Sequence, residues 1–271
     1  MGYAADSSPR SGAHARMQER REGVSVGRGR RRLVFLALVL VLAAGAGAVV
    51  WARSSDAFQI KSLVLSPGRH VTEAQLRTAA GAAIGANLLR VDLDALTLKV
   101  AAIPYVQSAR VYRRFPDALE VQFEEYEPAA VVQAGDGRRW LVAEGGRVLE
   151  TARGTSAGSL ALIVPTGEAW PQAGGVVAPR VVAALPLAAL VRDPRVWPAS
   201  HPVKRLVVDD FGEVVLILGS GAEVRIGEPT RLEQKLMVAA GIIDRKLREG
   251  RRIDYVDVRD PSWAVAKPTE P

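Results

Sequence analysis

The sequence contains no cysteine among its 271 residues. That absence removes thiol nucleophiles, cysteine-ligated zinc and disulfides, and it leaves the compartment open between the cytosol and a disulfide-poor periplasm. Histidine is nearly as scarce. His14, His70 and His201 fall in a tail, a turn and a loop, without metal-ligand spacing. No GxSxG or Walker pattern occurs. The letters DDFG at 209–212 match a kinase tripeptide, but a phosphate loop and a His-Arg-Asp triplet are missing, so they read as a hairpin turn. Glu124, Glu125 and Glu127 read as a solvated strand end in preference to an acid–base pair. These absences point away from an enzyme and imply no metal, cofactor or small-molecule substrate. A periplasmic wall-modifying enzyme is the weaker alternative.

Charge is placed unevenly. Residues 1–32 hold eight arginines against Asp6, Glu19 and Glu22, which accounts for five of the seven net positive charges. The folded remainder is close to neutral, so basicity gives no reason to expect nucleic-acid binding. Directly after this tail, Leu33 to Trp51 run for nineteen residues without a charge. As a helix this stretch is about 28 Å long, close to the hydrocarbon thickness of a bilayer. A cleaved signal peptide is the competing reading, since AGA near 44–48 resembles a cleavage site. The long basic region and the apolar run through Val49, Val50 and Trp51 favour an uncleaved anchor. Only Arg53 and Lys61 are basic in the fifteen residues that follow, so the N-terminus is expected in the cytoplasm and the rest outside.

Beyond the span, the pattern is β-α-α-β-β. Phe58–Leu65 reads as a strand ending at the turn SPGR. Thr72 and Gln75 form a capping box for a helix that buries Leu76, Ala79, Ala80 and Ala83. Asp92 caps a second helix with Leu93, Leu96 and Val100 on its apolar face. Then comes a hairpin with a turn at Pro116–Ala118, in which Ala109, Val111, Phe115, Leu119, Val121 and Phe123 face inward. Its outer row is expected to pair Arg114 with Glu120, Tyr112 with Gln122 and Arg110 with Glu124, fixing register.

From Ala129 the chain is strand-rich, with Gly-rich turns at 135–137 and 145–146. LALIVP is a further strand, 179–192 is helical around Pro186, and 203–227 is a three-strand meander. A long helix opened by Pro229 carries the stripe Leu232, Leu236, Ala239, Ile243 and Leu247, and Gly250 stops it. In the last strand, RIDYVDVRDPSW, Ile253, Tyr255, Asp257 and Arg259 face one way and Val256 and Val258 the other. Following a helix near the end of the sequence, it is expected at a sheet edge, offering unpaired N–H and C=O groups. The fold class is α+β, divided as a basic tail (1–32), a transmembrane helix (33–51), a first module (57–127), a second (128–263) and a tail (264–271).

The segments FQIKSLVLSPGRHVTEAQL, GANLLRVDLDAL and IPYVQSARVYRRFPDALEVQFEEYEPAA occur in order and together resemble the POTRA domain of the FtsQ/DivIB family of bacterial division proteins. LVAEGGRVL, the long helix and YVDVR resemble the β-domain that follows POTRA in that family. The resemblance covers about 32 to 265. It implies a non-catalytic, single-pass inner-membrane scaffold of the divisome, placed at the septum, that recruits and links peptidoglycan-building partners. It further implies that FtsB, itself associated with FtsL, adds a strand at the C-terminal edge. The positions carried over are Tyr255, Val256, Asp257, Val258 and Arg259, with Trp263 as a partner-binding aromatic, although DPSWAVAKP departs from the longer tail of well-known members. A different POTRA protein, serving outer-membrane insertion or secretion, is the alternative.

Overall fold

The structure, a computed structural model, describes residues 13–153, 160–167 and 172–269, with side chains from Arg30 onward, Ser54 excepted. The first twelve residues of the basic tail and the last two of the C-terminal tail lie outside this range. The chain divides into two compact units. One holds the N-terminal stretch to Ser62 with Ile84–Val91 and Arg114–Ala118; the other holds Leu63–Ala83, Asp92–Arg113 and Leu119 onward.

In the first unit, helix α1 runs unbroken over Ala13–Ser54, beginning within the basic tail. Its segment Arg30–Arg53 spans 24 residues and contains an 18-residue window of mean hydropathy 2.8, in which no residue is buried against the protein. It is long and apolar enough to cross a membrane. The last carbonyls of a helix need external donors, and here the Asn87 amide donates to Ala52 O at 3.2 Å and Ser55 O at 3.3 Å. Of Phe58–Lys61, expected as strand, Phe58 closes a 3-10 turn over Asp56–Phe58, Gln59 makes an isolated antiparallel bridge to Asn87, and the regular strand begins only at Ser62. The backbone of 58–61 is bonded to a loop and a turn instead, with Leu88 N donating to Phe58 O, Ile60 N to Ala86 O and Lys61 N to Asp117 O at 2.7–2.9 Å. Phe115, expected inward, is 60% exposed and meets the Phe58 ring edge-on.

A three-stranded sheet is made by β1 (Ser62–Leu65), β2 (Val106–Arg114) and β3 (Ala118–Glu125), with β3 central; all but its terminal residues Ser62, Arg114 and Ala118 belong to the second unit. Helices α2 (Glu73–Ala80) and α3 (Leu93–Ala101) bury Leu76, Ala80, Leu96 and Val100 of the positions the periodicity selects, while Ala79 and Leu93 are half-buried and Ala83 is buried in a 3-10 turn after α2. The capping box forms in both directions, and the Asp92 side chain accepts from Ala95 N. Inward alternation holds for Val111, Leu119 and Val121. Glu124, however, accepts from the Ser108 hydroxyl at 2.9 Å in place of pairing with Arg110.

Glu125 is no solvated strand end. Its carboxylate accepts from the backbone N–H groups of Arg69, His70 and Val71 at 2.8–3.1 Å, tying the SPGR turn to β3. A Cβ on Gly68 would lie 1.9 Å from Glu125 Oε1, so the absent side chain at 68 is what admits the carboxylate. His70 stacks on Tyr105 at 4.4 Å, and the Tyr105 hydroxyl donates to Glu150 at 2.8 Å. Burial and the Glu150 carboxylate both push the Tyr105 phenol well above its usual pKa. Arg147 donates to the carbonyls of Ala101, Ile103 and Pro104 at 3.0–3.3 Å, closing the C-terminal end of α3.

The strand-rich part contains β4 (Pro128–Gln133), β5 (Arg139–Ala143), β6 (Val148–Thr151), β7 (Leu162–Pro165), β8 (Val203–Val208), β9 (Val214–Leu218), β10 (Glu223–Gly227), β11 (Ile253–Asp257) and β12 (Val265–Pro268). They form one nine-stranded sheet, ordered β12-β11-β10-β9-β8-β7-β4-β5-β6. Helices α4 (Pro179–Leu190, continuous through Pro186) and α5 (Leu232–Arg248) share its core with Val132, Ile163, Leu206, Leu216, Val224 and Val256. Two expectations fail here. The described part of the expected tail 264–271, residues 264–269, is not a plain tail, because the Asp260 carboxylate accepts from Ser262 N, capping a 3-10 turn at Pro261–Trp263 that returns the chain as β12. In consequence β11 is not the edge.

Lys235 was invisible in the apolar stripe of α5, yet it is buried, and its ammonium donates to Ile226 O at 2.9 Å and Glu228 O at 2.8 Å. Burial, followed by the neighbouring Arg231, holds its pKa below the usual 10.5.

Two outcomes are expected. Glu125→Ala and Gly68→Ala should each destabilise the chain by about 1–3 kcal/mol, and the Gly68 effect should largely vanish in the Glu125→Ala background. Additive losses in thermal unfolding would show that the carboxylate and the turn are not coupled. For Lys235, the unfolded chain binds more protons between the lowered folded pKa and 10.5, so this residue's contribution to stability rises with pH across that window. Lys235→Met removes that slope, so urea titrations should show wild type gaining on the variant as pH climbs toward 10.5. A constant difference between the two would contradict the assignment.

Candidate partner-binding site at the C-terminal sheet edge

Strand β11 is paired on both sides. Its parallel partner β10 aligns Glu223 with Tyr255, Val224 with Val256 and Arg225 with Asp257. Its antiparallel partner β12 aligns Tyr255 with Lys267, Val256 with Ala266 and Asp257 with Val265. Among the described residues, the unpaired backbone edge at this end of the sheet therefore belongs to β12. The edge is short, and Pro268 contributes no N–H, both recognised ways of limiting unwanted strand pairing.

The six sequence-selected residues separate into two groups. Val256 and Val258 are 0% exposed and belong to the core, so neither is available to a partner. Tyr255, Asp257 and Arg259 lie on the opposite side, as the alternation requires. Trp263, in the turn just before β12, is 82% exposed, and Val265, the first residue of β12, is 58% exposed.

This face is held in place by electrostatics. The Arg225 guanidinium lies 3.9 Å above the Tyr255 ring, a cation–π contact. Arg259 grips Asp257 through two nitrogens, at 2.7 Å to Oδ2 and 3.1 Å to Oδ1. Burial works against the Asp257 charge, but the side-chain and backbone hydrogen bonds from Arg259 outweigh it and hold the carboxyl below its usual pKa. The stem of Arg259 lies across Gly227, whose φ is +67° and where a Cβ would come within 2.7 Å of Arg259 Cγ. Lys267 of β12 reaches Asp254 at 3.7 Å. Arg225, Val265 and Lys267 were not selected from the sequence. The turn letters Asp260-Pro261-Ser262 followed by alternation in WAVAKP are the signal that a further strand follows.

A cavity of about 580 Å³ lies nearby, walled by His201, Leu218, Glu223, Ile243, Arg252 and Val256 among others. His201 Nε2 and Asp244 Oδ1 are 2.8 Å apart, and Trp197 Nε1 donates to His201 O at 2.7 Å. Among the described residues neither Ser200 nor Ser220, both in the cavity wall, bonds to the imidazole. No group of three His, Asp or Glu side chains is arranged to hold a metal among them either. The pair is a hydrogen bond between a buried imidazole and a half-exposed carboxylate, fastening α5 to the loop before β8.

Comparison with known proteins bears on both modules. Residues 58–126 match the family model of the FtsQ-type POTRA domain, and residues 130–259 that of the cell division protein FtsQ/DivIB C-terminal region. The second match ends at Arg259, before Trp263 and β12. The cell division protein FtsQ of Anaeromyxobacter sp. (strain K) is 32% identical over 220 residues, 79% of this chain and 72% of that protein. That of Myxococcus fulvus is 26% identical over 228 residues, 82% of this chain and 78% of its own length. The Mycobacterium leprae protein of the same name is 26% identical over 211 residues, 78% and 56% of the two chains. With both modules matched in order and a relative 32% identical over 72% of its own length, the chain belongs to the FtsQ/DivIB family of cell division proteins.

Proposed function

We propose that the protein is a non-catalytic, single-pass scaffold of the divisome. Its basic tail stays in the cytoplasm, α1 spans the inner membrane, and the POTRA module and nine-stranded sheet stand outside at the septum. Partners of the FtsB and FtsL type bind at the C-terminal corner, one of them by adding a strand to β12. The observation that carries this reading is the edge itself. β12 ends the sheet with its outer side unpaired among the described residues, next to an 82% exposed Trp263. Exposed edge backbone supplies affinity in strand addition, and neighbouring side chains supply specificity.

The contact assignment shifts from the one the sequence suggested. Tyr255, Asp257, Arg259 and Trp263 remain partner-facing, joined by Val265 and Lys267, while Val256 and Val258 support them from the core. The arginine excess before the span supports the orientation, by the positive-inside rule.

Co-purification from membranes with FtsB-type and FtsL-type partners tests the reading. Ala266→Pro, which removes one edge N–H, and Trp263→Ala, which truncates the exposed aromatic, should each lower partner recovery. The Trp263 variant should lose about tenfold or more in affinity, as a central aromatic does. Undiminished recovery with both variants, each folded and in the membrane, would defeat the assignment of this edge.

A further inference from the structure

On α1, Arg30 and Arg31 stand above Val34, Phe35 and Leu38, and these five side chains wall a shallow groove of about 480 Å³. Spacings of one, four, five and eight residues place them on one helical face. Arg32 follows directly, and the sequence has no acidic residue between Glu22 and Asp56. The two ends of the groove call for different chemistry. Guanidinium forks match phosphate oxygens in bidentate geometry. Val34, Phe35 and Leu38 offer only apolar surface. From Arg30 to Leu38 the helix rises about 12 Å, within a single leaflet of a bilayer about 30 Å thick.

We propose that Arg30 and Arg31, above Val34, Phe35 and Leu38, form a site for one anionic phospholipid. Its phosphate is held between the guanidinium groups and one acyl chain lies along the apolar strip. Phosphatidylcholine offers the same phosphate, but its choline cancels the charge, so the site discriminates on net charge. The inference rests on the membrane-spanning reading of α1.

The test uses the full chain in nanodiscs of equal parts dioleoyl phosphatidylcholine and dioleoyl phosphatidylglycerol. Native mass spectrometry after release from the discs counts the lipids each protein retains. Wild type should keep phosphatidylglycerol in preference. Arg30→Gln with Arg31→Gln should cut that enrichment by roughly fivefold per arginine. Arg192→Gln with Arg248→Gln, which removes equal charge elsewhere, should leave it intact. Equal retention of the two lipids by disc-embedded wild type overturns the proposal, as does undiminished enrichment in the Arg30/Arg31 variant. Failure to co-elute with discs is seen first and overturns the membrane-spanning reading itself.

Discussion

The carboxyl-terminal corner depends on one buried ammonium group. Lys235 lies in the first turn of α5, where a cation opposes the helix dipole, and it is shielded from water. Both circumstances disfavour the charge, and burial together with the neighbouring Arg231 lowers its pKa. What offsets them is a pair of charge-assisted hydrogen bonds to the Ile226 and Glu228 carbonyls at the end of β10, the second of which also accepts from Thr230 N. Those bonds fix the backbone on either side of Gly227, and the bare Cα of Gly227 gives the Arg259 stem its bed. Arg259 closes on Asp257 at the end of β11, and the 3-10 turn that begins β12 starts two residues later. The placement of the outermost strand thus descends from a lysine that faces no partner.

Local signals in the sequence were legible because their physics is local. The capping box at Thr72 and Gln75, the Asp92 cap and the inward alternation of Val111, Leu119 and Val121 each involve residues a few positions apart, and each appears as expected. The misreadings involve distant partners. Glu125 looked solvated because its three donors lie more than fifty residues earlier, in a turn. Phe58–Lys61 looked like strand because nothing nearby reveals that its backbone bonds to 86, 88 and 117. At the site, period two alone gave the sides of Tyr255, Val256, Asp257 and Val258 but misplaced Ile253, which a register shift before Tyr255 packs against the core. The place of β11 in the sheet was not legible, because four residues ending in proline resemble a tail until the Asp260 turn folds them back.

The sheet has a second edge, β6, and its own chain occupies it. Val148 N donates to Gly175 O and Gly174 N to Val148 O, both at 2.8 Å, with a bridge between Arg147 and Val176. The same end of the sheet carries Arg147 on the α3 carbonyls and Glu150 on Tyr105. Among the described residues, edge backbone is thus covered at Val148 of β6 and left open at β12. An open edge is a liability for aggregation unless kept short or charged, and β12 is both, with four residues, Lys267 and Pro268.

That economy limits what strand addition can contribute by itself. A four-residue edge ending in proline admits about two or three backbone hydrogen bonds, and each adds a net of about 0.5–1.5 kcal/mol. Their sum, about 1–5 kcal/mol, falls short of the ~8 kcal/mol that a micromolar complex requires. The remainder must come from side chains beside the edge. Trp263 and Tyr255 are the large aromatic surfaces there, and Arg259 is fixed by Asp257 before any partner arrives. Such preorganisation lowers the entropy lost on binding. In the proposed mode of assembly, the edge sets the register of the incoming strand while the aromatic and guanidinium groups around it set the strength.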